Sequence, residues 1–207
     1  MIIFDIEQRS EAWFEARAGR VTGTRFKLLM AKETTKTYQD LIYDMAAEII
    51  TGKIESGYVS EAMQAGIDTE PIARDEYVIT TETKVVDAGF VIPDEDNKYH
   101  DWIGVSPDGL IGKDGLLEIK CPMPKTHLKY ITAGKLPTEY RYQVQGQMFV
   151  TACKYCDFMS YSEGMQPFII RVYPDKDLFA EFEKRLDALI PAVKEVTKKY
   201  DTYNIYE

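Results

Sequence analysis

The sequence predicts an α/β fold: a mixed central sheet flanked by helices, in one domain over residues 1–207. Three observations predict it. First, hydrophobic residues make up 45% and charged residues 29% of the 207 positions, which suits a globular chain with one sizeable core. Second, helical and strand-like patterns follow one another as helices, strands, helix, strands, helix. Third, in the glycine-punctuated stretch from Gly104 to Pro122, Glu118 and Lys120 alternate with apolar Leu117 and Ile119 after a Lys113-Asp114-Gly115 turn signal, which reads as a hairpin at about 102–122.

The elements follow in order. Residues 7–31 read as two short helices around a turn. Ser10 can cap the first, which bears Trp13, Phe14 and Arg17, and Thr22 or Thr24 can start the second. Lys32 to Thr37 is polar and reads as a loop. Leu41, Ile42, Met45, Ile49 and Ile50 recur at helical spacing over 38–50, and Gly52 ends that helix. A long helical pattern covers 60–77, carries Glu70, and is kinked or started by Pro71. Val78 to Ile92 reads as two strands, and Trp102 to Val105 starts the strand that leads into the hairpin. Helices are expected over 125–133, with His127, and over 137–151, where Gln143 and Gln147 share a face. Strands follow at 158–161 and 168–172. An amphipathic helix at about 175–201, interrupted near Pro191, closes the chain.

Composition limits the function classes. No apolar run approaches the ~20 residues of a membrane span. Met1-Ile-Ile-Phe-Asp has neither a basic region nor a long apolar one, so a cytoplasmic location is expected. The net charge of −9 argues against broad electrostatic binding to nucleic acid, whose affinity normally follows phosphate neutralisation. Cys153-Lys-Tyr-Cys156 is a C-x-x-C. It reads as half a zinc site completed by Cys121 and His127, as a redox pair, or as buried thiols at a helix end and a strand start. The last is preferred, because no second C-x-x-C exists.

The hairpin carries the chemistry. With Lys113-Asp114-Gly115 as a three-residue loop, Gly112 faces Leu116, Leu110 faces Glu118 and Asp108 faces Lys120. Asp108, Glu118 and Lys120 then share one solvent-accessible face, with Asp108 about 5 Å from Lys120 and roughly 7–8 Å from Glu118 between Cβ atoms. Two carboxylates and a lysine so placed suit a magnesium-dependent phosphodiesterase: hard oxygen donors for the ion, and a cation to orient water or stabilise an oxyanion. A surface hairpin with a solvated salt bridge is the plainer reading.

Pro107-Asp108, nine residues, then Glu118-Ile119-Lys120 resembles the PD-(D/E)xK nuclease signature. The longer string Ser106-Pro107-Asp108-Gly109 … Glu118-Ile119-Lys120-Cys121-Pro122 is similar to the phage lambda-type exonucleases, the YqaJ-type viral recombinases. So are the opening Gln8-Arg9-Ser10-x-x-Trp13-x-x-x-Arg17-x-Gly19-x-x-Thr22-Gly23-Thr24 and the Tyr140-x-x-Gln143-x-Gln145 pattern. The resemblance implies a PD-(D/E)xK, restriction-endonuclease-like core. It implies a Mg²⁺-dependent exonuclease on double-stranded DNA ends, working 5′ to 3′, releasing mononucleotides and leaving 3′ overhangs. Asp108 and Glu118 would ligate the metal, with the Ile119 carbonyl and Glu70 assisting, and Lys120 would act on the attacking water. Two ions per site are expected, and Mn²⁺ is expected to substitute. Arg17, Thr24, Ser106 and Gln143 match positions that hold the terminal 5′ phosphate. A homotrimer, a single-strand annealing protein as partner, and the cytoplasm of a bacterial host are implied as well. The alternatives are a RecB-like or restriction-like endonuclease, and an acidic interaction module on a nuclease-like scaffold.

Overall fold

The computed structural model describes residues 1–54 and 60–203. The chain opens with β1 (Ile2–Phe4), α1 (Glu11–Arg17), a 3-10 turn (Gly23–Arg25), α2 (Phe26–Leu29), α3 (Lys36–Thr51) and α4 (Glu61–Thr81). Strands β2 (Val85–Val86), β3 (Phe90–Ile92), β4 (Gly109–Ile111) and β5 (Gly115–Lys120) follow. Then come α5 (Pro124–Ala133), a 3-10 turn (Thr138–Tyr140), α6 (Arg141–Thr151), β6 (Tyr155–Ser160), β7 (Phe168–Val172) and α7 (Lys176–Asp201).

The sheet runs β2-β4-β5-β6-β7 and is mixed: β5 and β6 are parallel, and the other pairs are antiparallel. The parallel step needs a long crossover, which α5 and α6 supply. Alternation along β5 and β6 serves two cores. Leu116, Cys156 and Phe158 face the larger core, with Phe26 and Leu29 of α2, Leu41 and Met45 of α3, Val144 and Met148 of α6, and Phe182 and Leu186 of α7. Leu117, Ile119 and Met159 face the smaller one, against Ala73 and Tyr77 of α4. The sheet therefore lies between helices, as expected. The smaller core has one strong polar tie. Asp157 on β6, 3% exposed, accepts from Tyr77 Oη at 2.6 Å and from both Nε and Nη2 of Arg171 at 2.8 Å.

Several boundaries differ from expectation. The β-branched run at Val78 to Thr80 suggests strand, yet α4 continues to Thr81 because the helix buries Tyr77 against the sheet, and the strands shrink to β2 and β3. Pro71 lies inside α4, and Pro191 lies inside an uninterrupted α7. Burial of Leu186, Leu189 and Val193 around Pro191 outweighs the ~3 kcal/mol that an interior proline costs. Helix α3 begins at Lys36, capped by Thr35, so the polar loop is shorter. Strand β6 starts at Tyr155, three residues early. Trp102 to Val105 makes only isolated bridges, Ile103 to Val21 and Val105 to Val91. Strand β1, which pairs antiparallel with β3, has too short a pattern to be foreseen.

Candidate active site

The β4–β5 hairpin departs from the expected register. Gly109 pairs with Leu117, Leu110 with Leu116 and Ile111 with Gly115, so the loop is Gly112-Lys113-Asp114. The left-handed glycine is Gly112, at φ 57°. Gly115 is needed for a different reason: a Cβ there would meet the Tyr155 ring at 2.3 Å. With Gly112 rather than Gly115 as the left-handed residue, the register lies two residues from the expected one. An even slip keeps every side chain on its face. Continued by one residue, the observed pairing sets Asp108 opposite Glu118, not Lys120, and the Asp108 N–H bonds to the Leu117 carbonyl at 3.0 Å.

Nor is that face openly solvated. Glu118 is 1% exposed. Its Oε1 accepts from Lys120 Nζ and Gln143 Nε2, and its Oε2 accepts from Gln147 Nε2 at 2.6 Å. Helix α6 thus sets two amides, one turn apart, on one carboxylate. Gln147 Oε1 is buried without a partner. Asp108 Oδ2 accepts the Ile119 N–H at 2.6 Å. Burial, and then the Glu118 carboxylate, push the Asp108 carboxyl well above its ordinary range, against the pull of Lys120. Burial works against the Lys120 charge, but Glu118 and Asp108 outweigh it and hold its pKa above the usual lysine value.

These groups line a cavity of ≈ 690 Å³ together with Arg17, Thr24, Ser106, Gln143, Glu70 and Ile119. Arg17 lies over the Trp13 ring at 3.9 Å and its Nη1 reaches Ser106 Oγ at 3.4 Å. Trp13 Nε1 donates to the same hydroxyl at 2.8 Å and to the Gly89 carbonyl at 3.1 Å. Burial, then repulsion from Arg25, lower the Arg17 pKa to about 10, against the attraction of Glu48. Thr24 borders the cavity from a three-residue 3-10 turn followed by the four-residue α2, too short for the helix-terminus anion site that the sequence suggests. Glu70 lies 3.5 Å from Arg9.

A hard divalent cation fits this donor set. It takes one or two carboxylates and completes its shell with carbonyl, water and substrate oxygens. Asp108 and Glu118 face each other, and a cation between them would offset both causes that raise the Asp108 carboxyl, its burial first and then the repulsion from Glu118. Glu70 lines the same cavity, although among the described residues no three His, Cys, Asp or Glu side chains converge closely enough to form a ready-made metal cluster.

Cys121 lines the cavity, but the C-x-x-C pair lies elsewhere. Cys153 and Cys156 are buried, at the end of α6 and within β6. His127 is buried with Nδ1 2.7 Å from Ser160 Oγ and Nε2 3.0 Å from the Gln166 carbonyl, which leaves no nitrogen for zinc. Sequence reasoning gave no role to Gln147, Trp13 Nε1 or Gln8. The one-turn spacing of Gln143 and Gln147 was the available signal for the first.

The YqaJ-like viral recombinase domain matches residues 12–154. Among solved structures, the alkaline exonuclease LHK-Exo from Laribacter hongkongensis superposes with a TM-score of 0.82 at 35% identity, covering 93% of this chain and 96% of that one. LHK-Exo in complex with dAMP superposes equally well, at TM-score 0.82 and 35% identity over 92% and 96% of the two chains. The phage-related exonuclease from Haemophilus somnus 129PT shares the fold, with a TM-score of 0.64 at 14% identity over 87% of this chain and 96% of that one. Comparison with curated proteins finds no match. The matched span contains every cavity residue except Gln8 and Arg9, and the chain belongs to the YqaJ-like viral recombinase family.

Proposed function

We propose that this chain is a divalent-metal-dependent exonuclease that enters double-stranded DNA at its ends, working 5′ to 3′ and releasing mononucleotides. Family membership and 35% identity to an alkaline exonuclease support the nuclease activity. The observation that supports the finer reading is that one cavity is lined both by Asp108, Glu118 and Lys120 and by Arg17 on Ser106. The relative solved with dAMP accommodates a mononucleotide, which fits release of single nucleotides.

A bound divalent cation, Mg²⁺ with Mn²⁺ as substitute and two ions per site, would lower the pKa of water and offset charge on the phosphate. Asp108, Glu118 and the Ile119 carbonyl would hold it, with Glu70 helping. Lys120 would orient or activate the attacking water. Gln147 keeps Glu118 in place through Oε2. Arg17 and Ser106, with Thr24 and Gln143 at the border, hold the terminal 5′ phosphate and so set the scissile bond in register. The whole chain acts as one nuclease domain in a bacterial cytoplasm. It works as a homotrimer, which retains DNA by enclosure where a net charge of −9 does not, and with a single-strand annealing protein.

Linear and circular duplex DNA incubated with Mg²⁺ test the reading. Digestion of the linear form only is expected. Cleavage of circles would favour an endonuclease, and no cleavage of either would leave a binding module.

A further inference from the structure

The backbone at Arg9 is at odds with its side chain. Glu7 to Ser10 form a tight turn closed by the Ser10 N–H on the Glu7 carbonyl at 3.2 Å. Arg9 is its third residue and sits at φ 72°. A turn with positive φ at that position calls for glycine or asparagine, since a Cβ there crowds the following carbonyl. Among the described residues, the other non-glycine residues with positive φ are Glu82 and Ala152. Both sit at helix C-caps, where left-handed geometry closes the helix. Arg9 closes no helix. Strain retained without a backbone reason points to the side chain.

The turn is also tightly placed. Gln8 Nε2 donates to the Pro107 carbonyl at 3.1 Å and to the Ala88 carbonyl at 2.9 Å, so the turn that carries Arg9 is tied to the residue that precedes Asp108. The cations lining the cavity are Arg9, Arg17 and Lys120. Lys120 is held by Glu118, and Arg17 is turned inward onto Ser106. Arg9 stands at the rim, 47% exposed, with Glu70 of α4 at 3.5 Å as its partner. Of the three, Arg9 is the exposed one, so its guanidinium is the one within reach of an incoming anion.

We propose that Arg9 is a substrate-positioning residue that binds a backbone phosphate of the DNA strand entering the cavity, exchanging its contact with Glu70 for the phosphate. The proposal rests on the nuclease reading above. The planar guanidinium suits a phosphate, and a position fixed by the turn limits the conformational freedom lost on binding.

The test is anisotropy of a short fluorescent 5′-phosphorylated duplex across a salt series, with Ca²⁺ replacing Mg²⁺ to slow cleavage, using wild type, Arg9→Gly and Arg9→Gln. Both variants are expected to bind roughly tenfold more weakly at low salt. Each should make the slope of log K against log[salt] shallower by about 0.9, one phosphate contact. Arg9→Gly should melt no lower than wild type, because it relieves the strained φ. If it does not fold, Arg9→Gln, which keeps the turn and most of the stem, decides the matter alone. Slopes equal to wild type in the folded variants would overturn the proposal. A wild-type protein that does not bind the duplex at all would overturn the nuclease reading instead.

Discussion

Replacing Arg17 by methionine should make the protein more stable and less discriminating. The charge is poorly housed: burial and Arg25 lower its pKa from 12.5 to about 10. At roughly 1.4 kcal/mol per unit that shift corresponds to ~3 kcal/mol of folded-state penalty. Because the folded pKa lies below the unfolded one, the penalty is fully present at neutral pH and fades only as pH rises through about 10. Partial exposure reduces it to about 1–3 kcal/mol. Against this, Arg17→Met loses a cation–π contact over Trp13, worth about 0.5–1 kcal/mol, and a long hydrogen bond to Ser106. Methionine keeps most of the apolar stem. The net expectation is a gain of roughly 1–2 kcal/mol in urea denaturation at neutral pH. On the functional side, a charge-assisted bond to a terminal phosphate is worth about 1.5–3 kcal/mol, so the preference for 5′-phosphorylated over 5′-hydroxyl ends should fall by roughly 10- to 100-fold. Digestion rates on the two end types, measured beside the urea curves, check both halves. A variant destabilised by a kcal/mol or more that still prefers phosphorylated ends would refute the reasoning, as would a wild type without any preference.

Asp108→Ala, Glu118→Ala and Lys120→Ala should each abolish cleavage. Glu118→Ala should also cost about 1–3 kcal/mol, because it leaves the buried Gln147 amide and Lys120 without their acceptor; a fully stable Glu118→Ala protein would show that this carboxylate is not the hub described. Asp157→Ala should destabilise by about 2–4 kcal/mol in denaturant, since it strands Arg171 and Tyr77 Oη, whereas Tyr77→Phe should cost only about 1. Similar losses in the two variants would argue against the network. Cys153 and Cys156 should resist alkylation in the folded protein and react on unfolding, ahead of which the less buried Cys121 reacts, and elemental analysis should find no stoichiometric zinc. One zinc per chain would overturn the assignment of buried thiols.

Local signals made much of the fold legible. Ser10 caps α1 as its hydroxyl suggests, and Gly52 ends α3 in the left-handed conformation. Boundaries went astray where local preference and packing disagree. Val78 to Thr80 favour strand as isolated residues, but Tyr77 must reach Asp157 and carries the helix onward. Proline costs a helix the same locally at 71 and 191, and only the buried neighbours decide that the helix continues through it.

The candidate site divides along the same line. Period-two alternation by itself assigned Glu118 and Lys120 to one strand face, and glycine chemistry by itself required a three-residue loop; both are properties of adjacent bonds. Which glycine turns the hairpin was decided by Tyr155, forty residues downstream of Gly115, whose ring leaves no room for a Cβ there. That Arg17 would meet Ser106, or that Gln143 and Gln147 would close on Glu118, depends on how α1 and α6 dock on the sheet. Spacing within a segment is carried by the chain's own geometry. Contacts between segments follow from the one packing that fills both cores, and a local pattern holds no information about it.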